Sequence, residues 1–278
     1  RIVVKVGSAV IADGREKSIF ERLAQDIHAI KGAGKEAIVV SSGAVALGMK
    51  RLGLKKRPVS IPERQAIAAV GQGSLMAHYD GAFGRHFETA AQVLLTHDDF
   101  SDRKRFLNAR NTLLTLLDFG IIPVINENDT VAVEEIKFGD NDALSALTTN
   151  LIEADMLVIL TDIDGLYDKD PRKGAGAKML SIVDDVDSLA VDLGGQGSVF
   201  GTGGMRSKCG AARKAAHTQA TQRINLYGRI APPEIKAEVE QYVQLPKQRT
   251  GVDAVDALAS VSDLARMSLN TGDISFAG

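Results

Sequence analysis

The sequence predicts an α/β protein, a three-layer α-β-α sandwich around a mainly parallel sheet, and three observations carry that expectation. Short apolar runs rich in β-branched residues recur along the chain as "RIVVKV", "EAIVVSS", "AAQVLLT", "IIPVINE" and "DMLVILTD". Each is too short for a helix, and several are nearly continuous in hydrophobicity, as strands buried on both faces are. Helical stretches alternate with these runs, which implies parallel pairing, right-handed crossovers and helices on both sheet faces. A chain of 278 residues with 45% hydrophobic content can also bury a full core without cross-links. In such sheets ligands bind at the carboxyl ends of the strands.

In order, "RIVVKV" is the first strand, and Lys5 stands where it gives way to the glycine turn at Gly7. A glycine there lets backbone N–H groups approach an anion closely. The stretch "SIFERLAQDIHAIKGAG" reads as a helix stopped at Gly32 to Gly34, where a C-cap belongs. "EAIVVSS" follows as a strand, then a Ser-Ser-Gly-Ala turn enters a helix, whose unpaired N–H donors suit a carboxylate or phosphoryl group near Ser42 and Gly43. Simple helix capping by Ser41 or Ser42 explains that turn equally well. Helices are expected in "ERQAIAAVGQGSLMAHYDGAFGRH" and "KRFLNARNTLLTLLDFG", with "AAQVLLT" between them as a strand. After "IIPVINE" the helix "ALSALTTNL" leads to "DMLVILTD", whose end at Thr161 and Asp162 could hold the sugar or base of a nucleotide. "GTGGMRSKCGAARKAA" is a glycine turn with Lys208 as a helix begins. Beyond Ala216 a weak strand is expected near Ile224 to Tyr227, more polar than a central strand should be, then a break at Pro232-Pro233 and a helix. Residues 1–245 are expected to form one domain, and 246–278 a loosely periodic tail.

Composition narrows the function. Lys plus Arg number 33 against 35 for Asp plus Glu, so no overall basic charge marks a nucleic-acid binder. A single cysteine, Cys209, excludes an intrachain disulfide framework and fits a reducing compartment, read here as cytoplasm, with a buried and unreactive thiol as the default. No apolar run reaches the roughly 20 residues of a membrane helix. The five histidines show no metal-ligand spacing, and His97 beside Asp98 and Asp99 reads as a solvated loop. Neither "GAGKEA" nor "GTGGMRSK" fits the Walker spacing, and Leu160 stands where an EF-hand needs an acid.

The stretch "INENDTVAVEEIKFGDNDALSAL" is harder to explain as structure alone. It gathers Glu127, Asp129, Asp140 and Asp142 with Asn126, Asn128 and Asn141 at the ends of two core elements that face one rim. Two bare charges about 4 Å apart at a protein surface repel by about 4 kcal/mol, so gathered carboxylates need cations among them. Lys5, Lys137, Lys208, a substrate ammonium and Mg²⁺ are the candidates.

Taken together, "VVKVGS", "SSGAVALG", "LNARNTL", "PVINENDTV", "EIKFGDNDALSAL", "LTDIDGLYDKDPR" and "GTGGMRSK" resemble the glutamate-phosphorylating members of the amino acid kinase family, in unbroken order over about residues 1 to 216. The resemblance implies that family's fold and transfer of the ATP γ-phosphoryl group to the side-chain carboxylate of L-glutamate. The product is L-glutamyl 5-phosphate, for proline synthesis, and Mg²⁺ travels with the nucleotide. By the same resemblance, Lys5 and Lys208 face the phosphates and Asp142 orients them. Ser42, Gly43, Asp129 and Asn141 serve the glutamate, while Gly7, Thr161, Asp162, Thr202, Gly203, Gly204, Met205, Arg206 and Ser207 join the two lysines around the nucleotide. Proline feedback, homo-oligomers, and no membrane or nucleic-acid partner are further implications. Many relatives carry a C-terminal RNA-binding-like PUA domain, for which the residues after the kinase core are too few. A kinase of another small amino acid and a non-catalytic amino acid sensor are the alternatives, and retention of both lysines speaks against the sensor.

Overall fold

A computed structural model describes residues 1–11, 16–132, 141–161, 165–169, 176–180, 183, 205–216 and 224–227. The expected boundary at 245 and the tail beyond it lie outside these residues.

Five of the apolar runs become strands: β1 (Ile2–Val6), β2 (Ala37–Ser41), β3 (Ala90–Leu95), β4 (Ile122–Glu127) and β5 (Met156–Leu160). Two short strands, β6 (Leu166–Tyr167) and β7 (Met179–Leu180), form a separate antiparallel pair, and β8 (Ile224–Tyr227) completes the main sheet. That sheet is six-stranded in the order β3-β4-β2-β1-β5-β8, and every pairing in it is parallel. Among the described residues β8 is the last strand of the sheet and pairs with β5.

Successive side chains of a strand alternate between faces, and β1 shows both. Ile2, Val4 and Val6 join one core layer with Phe20, Ile27 and Ile30 of α2 (Glu16–Gly32), Leu47 of α3 (Ala44–Arg51), and Leu75, Tyr79 and Phe83 of α4 (Ile61–Gly84). Val3 points the other way, into a second layer with Leu113 and Leu117 of α6 (Arg103–Asp118), Leu144 and Leu151 of α7 (Asn141–Leu151), and Ala211 and Ala215 of α8 (Met205–Ala216). The three-layer architecture expected from the sequence is the one observed. Gly34 and Gly120 take positive φ after α2 and α6, which confirms both as helix stops.

The remaining helices are short. α1 (Ser8–Ile11) follows the Gly7 turn. α5 (His97–Ser101) corrects an expectation: His97, Asp98 and Asp99 do not lie in a loop but open a helix, because Asp99 Oδ2 accepts from Thr96 N at 2.6 Å and from Thr96 Oγ1 at 2.9 Å. A local cap of this kind competes well with solvation but leaves no periodic signature in five residues.

The contact of α3 with α4 is close enough to demand glycine. A Cβ on Gly71 would lie 1.7 Å from Ala44 O, and one on Gly48 would lie 2.0 Å from Ile67 O. Both obstacles are backbone, so neither can turn aside. Gly71→Ala is therefore expected to lower unfolding free energy by about 3 kcal/mol, readable as a lower urea midpoint. A melt within about 0.5 kcal/mol of the parent would show that the helices can separate freely.

Topology fixes where a ligand can enter. The helices that follow β1 cover one face, whereas the helix between β5 and β8 covers the other, so a crevice opens between β1 and β5 at their carboxyl ends. Gly7 lies there, with its Cβ direction 3.4 Å from Leu160 O.

Candidate active site

Three charged groups from distant parts of the chain meet beside that crevice. Lys5 ends up on the second-layer face of a central strand, only 4% exposed, and its Nζ contacts Asp142 Oδ1. Lys208, also 4% exposed, approaches from α8 and places Nζ 3.0 Å from Asp142 Oδ2. Ser207 Oγ donates to the same oxygen at 2.8 Å. Asp142 is fully buried in the first turn of α7. Burial pushes its carboxyl up, but the two ammonium charges and the hydrogen bonds from Lys5 and Ser207 outweigh it and hold the group at about 2. Two ammonium groups and one carboxylate leave these three buried groups with a net charge of +1. Lys5 is thus no edge lysine reaching solvent.

A second cluster, of amides and hydroxyls, adjoins the first through the Asn141–Asp142 step. Asn141 Nδ2 lies 2.6 Å from Ser41 O, 2.9 Å from Ser42 Oγ and 2.9 Å from Asn126 Oδ1. The polar groups after β4 and those opening α7 do face one rim, as the sequence suggested. Asn126 in turn donates from Nδ2 to Gln72 Oε1 at 2.8 Å and accepts from Glu127 N at 2.9 Å. Tyr79 OH donates to Ser41 Oγ at 2.9 Å, and burial pushes that phenol above its usual range.

The capping explanation for the Ser41-Ser42 turn fails. The N-cap of α3 is Gly43 at φ +97°, with no side-chain cap bond, so Ser42 is left to receive Asn141 and keeps its own hydroxyl hydrogen to donate. A Cβ on Gly43 would come within 3.1 Å of Ile11 Cγ2. Asp129, just past β4, is half-buried, and that burial raises its carboxyl to about 6. Cys209 is buried and its thiol is pushed up by that burial against the pull of Arg213 and Lys208, as an inert thiol should be.

Of the residues expected around a nucleotide, Thr161 is buried just past β5, and Met205, Arg206 and Ser207 lie in the first turn of α8. Asp162, Thr202, Gly203 and Gly204 lie outside the described residues, as do Lys137 and Asp140. Three members of the site had no individual role in the sequence, Asn126, Gln72 and Tyr79, and Ser41 had only that of a candidate cap. Asn126 sits inside the acidic and amide stretch that drew notice, whereas Gln72 interrupts a helical apolar row with nothing to distinguish it from a surface residue. Among the described residues no set of three His, Cys, Asp or Glu side chains could hold a metal ion.

Comparison with known proteins adds the following. The model of the amino acid kinase family matches residues 1–224. The chain is 55% identical to the glutamate 5-kinase of Geobacter metallireducens over 219 residues, 77% of this chain and 59% of that protein. It is 55% identical to the glutamate 5-kinase of Ralstonia pickettii over 227 residues, 79% of this chain and 60% of that one. The chain thus spans about 60% of the length of these curated relatives. Among solved structures it resembles an aspartate kinase from Synechocystis at 18% identity and a TM-score of 0.45, over 65% of this chain and 31% of that one.

Proposed function

The chain belongs to the amino acid kinase family, and from that premise we propose that it transfers the γ-phosphoryl group of ATP to the side-chain carboxylate of L-glutamate, giving L-glutamyl 5-phosphate. One observation carries the reading: Lys5 and Lys208 hold the two oxygens of a single buried carboxylate, so both ammonium groups reach one triphosphate. Relatives named glutamate 5-kinase, at 55% identity, support the choice of acceptor.

The acceptor carboxylate is ionised at neutral pH and needs no general base. One of its oxygens attacks the γ-phosphorus in line as the bond to the β,γ-bridging oxygen breaks, and ADP leaves with that electron pair. The protein's work is alignment and neutralisation of charge on the phosphoryl oxygens. Lys5 and Lys208 supply the positive charge, and Asp142 keeps the two from drifting apart. Backbone N–H groups at Gly7 and Gly43 flank the transferring group. A magnesium ion accompanying the nucleotide would supply further neutralisation of phosphate charge. Asp142 is committed to the lysines, so the ion would be held chiefly through the nucleotide. Thr161, Asp162 and residues Thr202 to Lys208 are assigned to the nucleotide.

Ser42 can donate to a glutamate carboxylate. Asn141 spends its amide hydrogens on the protein and offers its Oδ1. Asp129 takes the substrate ammonium, which gives a test. With its carboxyl at about 6, lowering the pH through that value protonates it, so the glutamate KM should rise by up to about tenfold per pH unit below 6. Asp129→Ala should raise that KM at every pH and flatten its dependence, with the ATP KM unchanged. An unaltered glutamate KM would remove Asp129 from the site.

The reaction itself is tested by coupled ADP release with glutamate, aspartate and N-acetylglutamate side by side, and turnover with glutamate alone is expected. ATP binding without ADP release would favour the sensor. A place in proline synthesis, proline inhibition overlapping the glutamate site, homo-oligomeric assembly and a cytoplasmic location belong to the same proposal. No helix among the described residues is long and apolar enough to cross a membrane.

A further inference from the structure

Gln72 lies on α4, far in sequence from every charged member of the site, yet it ends the chain of amides that runs through it. It is 9% exposed, and among the described residues its Nε2 has no hydrogen-bond partner. Burying an amide donor without a partner is unfavourable, and a Met or Leu would fill the same space without that penalty.

The orientation of the amide is not arbitrary, because backbone groups that cannot flip fix Asn141 and Asn126, and these fix Gln72. Ser41 O can only accept, so Asn141 must present Nδ2 to it. The same Nδ2 then faces Asn126, which must answer with Oδ1, and Glu127 N–H, which can only donate, requires that same Oδ1. Asn126 therefore turns Nδ2 toward Gln72, and Gln72 must meet it with Oε1. Flipping any amide sets donor against donor or acceptor against acceptor. Nε2 is consequently the atom Gln72 has left over.

Place decides what it meets. Gly71, the preceding residue, is pressed against Ala44 so tightly that a Cβ would fall 1.7 Å from Ala44 O, which pins this part of α4 beside the Ser42-Gly43 turn. Along the relay, Asn141 adjoins the lysine-bound Asp142, whereas Gln72 is at the opposite end, away from the reacting phosphate.

We propose that Gln72 is a specificity-determining residue whose Nε2 donates to the non-reacting α-carboxylate of the acceptor amino acid while its Oε1 holds Asn126 in the productive orientation. The inference rests on the glutamate reading given above.

Gln72→Glu keeps an oxygen toward Asn126 but replaces the donor with a second acceptor. It should raise the glutamate KM about tenfold or more and leave the ATP KM within about twofold. Gln72→Met, which keeps the volume and loses both polar atoms, should raise the glutamate KM about fivefold or more, and it decides the matter if the Glu variant does not fold. Melting temperatures measured alongside separate a purely structural role, which would lower them with KM unchanged. A parent enzyme that turns over glutamate with variants of unchanged glutamate KM overturns the role of Gln72 alone. A parent enzyme inactive on glutamate overturns the reading beneath it.

Discussion

Lys208→Ala is expected to lower turnover by roughly 10² to 10³, equivalent to about 3 to 4 kcal/mol of barrier, while the protein remains folded. The loss is large because the ammonium is buried, where charge developing on phosphoryl oxygens is weakly screened. The fold survives because of how the cluster is wired. With Lys208 gone, Asp142 still contacts Lys5, so a neutral ion pair remains and no buried charge is stranded. The net charge of the three groups falls from +1 to 0, and an arriving triphosphate meets a site that no longer attracts it. Steady-state kinetics with a melting curve on the same preparation checks both halves, and near-normal kcat would remove Lys208 from the phosphate site.

Asp142→Asn should have the opposite balance, with a large effect on stability as well as on activity. Two ammonium groups would then stand buried together without a counter-charge, and removing one partner from a buried ionic cluster destabilises by about 3 to 5 kcal/mol. Urea unfolding would show this as a lower midpoint, and ADP release should fall as the lysines separate. The pH dependence gives a second readout. The folded-state carboxyl lies at about 2, below the roughly 3.9 of an unfolded aspartate. Its contribution is therefore fully present above about pH 4 and is lost as pH falls toward 2. The stability gap between parent and variant should narrow across that window. A variant as stable as the parent at neutral pH would show that the lysines find other anions.

The strands were legible in the sequence because β1, β2, β4 and β5 are buried on both faces and write unbroken apolar runs. β6 and β7, at two residues each, are too short to carry a period. Lys5, Asp142 and Lys208 were legible as motif positions, but their meeting on one carboxylate is a fact of topology. No local pattern states that residues 5, 142 and 208 converge. Gln72 was invisible for a different reason. Its row on α4, with Ile67, Gly71, Leu75 and Tyr79, is that of an ordinary buried helix face, and a lone polar residue in such a row signals its partner only when Asn126 is placed beside it.

β1 is an inner strand of the sheet, and its lysine draws its counter-charge from Asp142, made 137 positions later. At the usual rate of about 5 to 20 residues per second, roughly 7 to 27 s of translation separate the two. Throughout that interval the emerging half-sheet carries an unneutralised cation on a face destined to be dry, which disfavours its early closure. Closure of the sheet around Lys5 is thus expected to wait for the synthesis of its anion.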